Sequence, residues 1–210
     1  MNDYAAVINN STERELNQVL ASLKTKTGVE MAVLTINSLN GESIEQASIK
    51  VVDQWQLGTA KEDKGLLLLL AIDDRQLRLE VGQGLEGDIP DAYAKRIIDD
   101  AMVPLLKKGL TSEAVLVGVY QAVKLAAPDF PLDKYLKDSG DYRSRDQKKF
   151  KFGKLATIIF WLILIFLFRM NPLALLLFTG RGSSYRGGGF GGGSFGGGGG
   201  FSGGGASGRW

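Results

Sequence analysis

Leu66–Ile72 is an unbroken apolar run bounded by charged turns, Lys61-Glu62-Asp63-Lys64-Gly65 before it and Asp73-Asp74-Arg75 after it. A short run of this kind reads as a buried central strand. Beyond the second turn, Leu77, Leu79 and Val81 alternate with Arg78 and Glu80, which predicts a strand with one wet face. The two strands are expected to form an antiparallel hairpin. Around them lie helical patterns. Thr12-Glu13-Arg14-Glu15 reads as a capping box, followed by Leu16, Val19, Leu20 and Leu23 on one face and Gly28 as the stop. Met31–Ile36 predicts a strand, and Ser43 to Trp55 a second amphipathic helix with Trp55 in the core. Asp88–Asp100 predicts a helix with Pro90 in its first turn, and Thr111 to Ala126 another; Pro128 and Pro131 close the domain. Strands alternating with helices, plus one hairpin, imply a small α/β sandwich over residues 1–140.

Charge divides the chain. Residues 1–140 carry 15 basic against 21 acidic side chains, whereas residues 141–210 carry 10 against 2. An acidic domain is thus joined to a basic region, and nucleic acid is a poor partner for such a domain. Cysteine and histidine are both absent, which excludes a thiol nucleophile, a Ser-His-Asp triad, a disulfide and a zinc site of the usual kind. A bound metal would need oxygen ligands, pointing to Ca²⁺ or Mg²⁺.

Leu155–Phe168 is apolar without a break, Arg169-Met170-Asn171-Pro172 interrupts, and Leu173–Phe178 resumes. The first stretch alone spans about 21 Å as helix, short of the ~30 Å hydrocarbon core. Taken together, 155–179 is long enough for a transmembrane segment, with Arg169 placed to snorkel. Residues 141–154 read as a basic juxtamembrane linker. Arg143, Arg145, Lys148, Lys149, Lys151 and Lys154 precede the segment, and Arg181 and Arg186 follow it. The positive-inside rule alone places the soluble domain in the cytoplasm, and no signal peptide precedes Asn2. From Gly180 onward 17 of 31 residues are glycine, punctuated by Phe190, Phe195, Phe201 and Trp210. This composition predicts a disordered tail, passive or weakly self-associating.

Gly82-x-Gly84-x-x-Gly87 matches a dinucleotide fingerprint on paper. The strand before it is a hairpin arm, Glu86 and Asp88 would repel a pyrophosphate, and Lys107 and Lys108 stand where a ribose-binding acid belongs. The glycines are therefore expected to serve a tight backbone path. The acidic residues offer a second possibility. The hairpin brings the 61–65 entry beside the 82–91 exit, so Asp63, Glu86, Asp88 and Asp91 come within reach of one another as a hard-cation site. The same residues also read as a turn acid (Asp63) and as an N-cap with a first-turn acid (Asp88 and Asp91). Asp73-Asp74 read as turn chemistry and Asp99-Asp100 as solvated, with Trp161 a membrane residue.

The start Asn2-Asp3-Tyr4-Ala5, the run EDKGLLLLLAIDDRQLRLEVGQGLEGDIPDA at 62–92, the Ile97-Ile98 helix and the ending ASGRW at 206–210 together resemble the TPM-domain family, in particular YgcG-type bacterial membrane proteins. The resemblance implies an α/β/α sandwich outside the cytoplasmic membrane on a single-pass anchor. It further implies a calcium site in an acidic groove, with Asp63, Glu86, Asp88 and Asp91 as its candidates here. LemA-like membrane proteins are implied as partners. The expected function is a membrane-anchored accessory or binding protein in envelope or membrane-protein maintenance. A metal-dependent acid phosphatase and a scaffold associating through the glycine/aromatic tail are the alternatives.

Overall fold

The structure is a computed structural model that describes residues 1–58, 62–135 and 204–210. The expected linker at 141–154, the membrane segment at 155–179, Trp161 and residues 180–203 lie outside the described residues. Among the described residues no helix is long and apolar enough to cross a membrane.

Five strands form one sheet in the order of the chain: β1 (Asn2–Asp3), β2 (Glu30–Ile36), β3 (Gly65–Ala71), β4 (Gln76–Val81) and β5 (Gly204–Arg209). β1, β2 and β3 run parallel; β4 and β5 are antiparallel to their neighbours. The hairpin is as expected, and every residue of β3 is buried. β1 escapes sequence patterning because it is two residues long. It is held by Asp3, whose carboxylate accepts from the N–H groups of Val7 (3.2 Å) and Ile8 (2.9 Å) and from the Thr35 hydroxyl.

Pleat alternation sorts the side chains into two layers. Leu67, Leu69 and Ala71 of β3 join Leu34 in a cluster with Ile44 and Val52 of α2 (Ile44–Trp55), and Trp55 is half-buried against it. On the opposite face, Leu66, Leu68 and Leu70 stand in register with Val81, Leu79 and Leu77. α1 (Asn10–Thr27) packs against β2, and α5 (Thr111–Ala126) packs against the π-helical turn Ile97–Met102, which in turn meets β4 and β5.

Helix boundaries differ from the sequence reading where capping chemistry was misassigned. α1 starts before Thr12, because the Asn9 side chain caps it by accepting from the Thr12 N–H at 2.8 Å. Pro90 is the extended residue ahead of α3 (Asp91–Arg96), so Asp88 precedes the helix instead of capping it. Nor does that helix stop at Asp100. It widens into the π turn Ile97–Met102 and continues as α4 (Val103–Leu106). Pro104 explains the widening: it has no N–H to donate, and its ring would clash with the carbonyl four residues earlier.

Two expectations fail together. The last residues of the tail are not disordered: 204–209 form β5 and pair with β4 over six residues. Nor does β4 have a wet face, since Arg78 is 6% exposed and Glu80 0%. The face expected to be wet is covered by α2, and the tail's last residues pair along the outer side of β4. Leu68 stands on the opposite face of β3 and is 1% exposed. Leu68→Ala should lower the unfolding free energy by about 2–5 kcal/mol in urea titration.

Candidate functional site

The polar residues that the fold buries or aligns converge on the seam between β4 and β5. Arg78 and Glu80 sit two apart on β4, so both point to the α2 face. They form a two-point ion pair, Nε to Oε2 and Nη2 to Oε1, the latter at 3.2 Å. Ser48 of α2 donates to Glu80 Oε2 at 2.7 Å. The remaining guanidinium nitrogen, Nη1, donates to Ser207 Oγ at 3.0 Å, and that hydroxyl donates to Glu45 Oε1 at 2.5 Å. A hydrogen-bond chain thus runs from Ser48 through Glu80, Arg78 and Ser207 to Glu45. The hydrogen bond from Ser207 holds the Glu45 carboxyl below its ordinary pKa, with partial burial opposing and Arg78 and Arg209 assisting.

The other side of β5 is held from α3. Asp91 Oδ1 accepts from the Gly205 N–H at 2.7 Å, and Lys95 Nζ donates to the Ser207 carbonyl at 2.8 Å. Beyond the strand, the Trp210 N–H donates to the Arg75 carbonyl at 3.2 Å. The strand must be made of small residues. A Cβ on Gly205, at φ +130°, would lie 2.1 Å from the Leu79 carbonyl oxygen; one on Gly208 would lie 2.3 Å from Ile98 Cγ2. Beside the strand opens a cavity of about 620 Å³ bordered by Glu42, Glu45, Asp74, Lys95, Ser207 and Arg209. Its acids are engaged: Glu42 pairs with Lys50 at 2.5 Å, and Asp74 accepts from the Leu39 N–H at 2.7 Å.

The four expected cation ligands go separate ways. Asp63 is half-buried in the loop before β3 with φ +44°, a conformation Asp tolerates, and its carbonyl accepts from Gly84. Glu86 lies against Gly204, where an added Cβ would come within 2.6 Å of its Oε1. Asp88 is exposed at a second cavity of about 460 Å³ that also presents Lys26 and Lys64. Asp91 holds β5. Among the described residues no three His, Cys, Asp or Glu side chains group to hold a metal ion. Calcium therefore rests on the family resemblance alone.

The Gly82 and Gly84 expectation stands. A Cβ there would lie 2.2 Å from the Asp63 carbonyl oxygen and 1.7 Å from that of Glu62. Asp74 lies in the turn, but its carboxylate reaches out of it to accept from the Leu39 N–H; Asp99 and Asp100 are exposed, with Asp99 paired to Lys95 at 3.1 Å. Sequence reasoning missed Ser48, Glu45, Arg78, Glu80, Lys95 and Ser207. One signal was present: charges at alternate positions of a strand that follows a fully apolar one.

The TPM domain matches residues 1–125. The chain belongs to the TPM-domain family. This TPM chain is similar to the solved N-terminal domain of a protein from P. gingivalis, at 37% identity and TM-score 0.55, covering 59% of this chain and 80% of that one. It also shares its fold with a protein from the psychrophilic bacterium Bizionia argentinensis, at 17% identity and TM-score 0.50, covering 62% and 87%. No curated protein matches. β5 falls outside the matched TPM residues.

Two measurements test this geometry. Glu80→Gln leaves the Arg78 guanidinium buried without its counter-charge and should cost about 3–5 kcal/mol in urea titration, while Arg78→Met with Glu80→Leu should recover most of that loss. A double variant as unstable as the single one would show that unpaired charge is not the cause. Glu45 sets a pH dependence. A carboxyl whose pKa falls when β5 docks favours docking above its ordinary range and loses that contribution as pH drops through the lowered value. Docking, followed by hydrogen exchange of residues 204–209, should be steady near neutrality and weaken below about pH 4.

Proposed function

We propose that this TPM chain is a membrane-tethered accessory module whose binding element is the β4 edge, a slot that captures an extended C-terminal strand of small residues. The observation that carries the proposal is β5 itself. Its backbone pairs with β4, and two side chains from α3 and two from the β4–α2 layer reach its backbone or its single serine. This is strand addition, in which main-chain hydrogen bonds supply affinity and the fit of alternate side chains supplies selectivity. Here selectivity would come from lack of bulk at positions 205 and 208 and from the Ser207 hydroxyl. The resemblance supplies the setting, envelope or membrane-protein maintenance beside LemA-like membrane proteins.

A phosphatase would aim its cations at a phosphoryl group. Arg78 is instead turned into Glu80 and Ser207, and Lys95 into the Ser207 carbonyl and Asp99. The binding role fits these commitments better.

The test is to titrate a protein ending at residue 135 with a peptide of residues 204–210, following Trp210 fluorescence. A solved N-terminal domain in a relative supports independent folding of that portion. Saturable one-to-one binding is expected, weakened at least roughly tenfold by Gly205→Ala in the peptide, where both φ and the Leu79 carbonyl oppose a side chain. Asp91→Asn should weaken binding more modestly, by the loss of one charge-assisted hydrogen bond. A folded domain that ignores the peptide ends the proposal.

A further inference from the structure

Building on the strand-capture reading, we infer that β5 is a resident latch. It keeps the slot closed until an extended, glycine-rich and serine-bearing segment of a partner protein takes its place. The groups that hold β5 have further anchors outside it. Arg78 has two of its nitrogens on Glu80, and Ser48 donates to the same carboxylate. Lys95 has Asp99 beside it at 3.1 Å. Asp91 stands in the first turn of α3, and Glu45 in the first turn of α2. Departure of β5 removes one printed partner from Arg78, at Nη1, and leaves the slot's other donors and acceptors on helices and on β4. The slot is thus built before its strand arrives, which is what a site with more than one ligand requires.

The strand, for its part, brings little that another could not. Its main chain pairs with β4 from Gly204 to Arg209, and any extended segment carries the same main-chain groups. Ala206 is the one apolar side chain of β5 in the core, and the Ser207 hydroxyl joins Arg78 to Glu45. No large aromatic or aliphatic residue among 204–209 anchors the strand, so the usual carriers of binding energy are missing. What the slot asks of a rival is narrow: no side chain where Gly205 lies, little or none where Gly208 lies, and a hydroxyl between them. A segment with that pattern meets the same partners in the same register, so it and β5 exclude one another. Covalent attachment makes docking of β5 independent of protein concentration, whereas a partner segment must arrive at sufficient concentration to displace it. Capture by the intact chain is therefore a competition that β5 wins at rest.

The test uses the full chain in detergent and, as the rival, a peptide of residues 204–210 with a fluorophore at its N-terminus, followed by anisotropy. Gly205→Val in the full chain bars its own strand, because φ +130° and the Leu79 carbonyl both oppose a branched side chain, and it alters none of the groups that build the slot. The Gly205→Val chain should bind the peptide at least roughly tenfold more tightly than the wild type. Equal binding by the two removes the latch and leaves strand capture standing. No binding by either removes strand capture, and the latch falls with it. A companion variant, Gln76→Cys with Arg209→Cys, joins register partners of β4 and β5 in a chain that has no native cysteine. Oxidised, it should form a disulfide within one chain and refuse the peptide; reduced, it should return to wild-type binding. A chain that oxidises between copies, or not at all, overturns the proposal, as does a locked chain that still takes up the peptide.

Discussion

The burial of Arg78 and Glu80 organises the rest of this molecule. Two charges at the centre of a sheet are stable only if each is hydrogen-bonded throughout, since an unmatched one costs several kcal/mol. Their mutual ion pair satisfies part of this need, and two other elements add to it. Ser48 of α2 supplies a further donor to Glu80, and Ser207 of β5 supplies an acceptor to Arg78. The pair thus ties α2 to β4 from above and β5 to β4 from the side. Its own solvation requirement links the domain to the end of a chain about 130 residues further on.

The same requirement explains why β5 is ordered despite a composition that argues against order. Segments poor in apolar residues remain disordered when they cannot bury enough surface to offset their ordering entropy. That reasoning considers only surface carried by the segment itself. In β5 the compensation comes from the partner: the outer hydrogen-bonding edge of β4, a carboxylate from Asp91, an ammonium from Lys95 and a guanidinium from Arg78. Charge-assisted hydrogen bonds of this kind are roughly twice as strong as neutral ones. β5 also protects β4. Without it, β4 would present an unpaired edge beside the most apolar strand of the sheet, a template for unwanted pairing.

The sequence revealed what periodicity encodes. The β3–β4 hairpin, the α2 and α5 spans and the Gly28 stop were all legible, because each reflects a local pattern at its own period. What it concealed depends on partners distant in the chain. β1 is too short to show alternation. The Asn9 cap was hidden by the equally plausible Thr12. Arg78 and Glu80 alternate with leucines just as exposed charges do, and only α2 over that face, with β5 along the edge, encloses them. The four acids chosen as cation ligands were grouped by proximity of their loops, which was roughly right for the hairpin. Loop proximity does not fix where side chains point, however, and Asp91 and Glu86 both turn to the strand that the sequence reading had dismissed.

The tail therefore divides by chemistry more sharply than by composition. Glycine serves one purpose where a chain needs reach and another where it must fit, and the two cannot be distinguished by counting. At 204–209 the distinction is set by neighbours: a Cβ on Gly205 collides with the Leu79 carbonyl, and one on Gly208 with Ile98. The first is a collision with the backbone of β4 and the second with a side chain of the π turn, so the slot disfavours side chains at both positions. The π turn owes its position to Pro104, and Ile98 lies on that turn. One proline in a helix thus helps shape the wall that crowds a side chain at position 208.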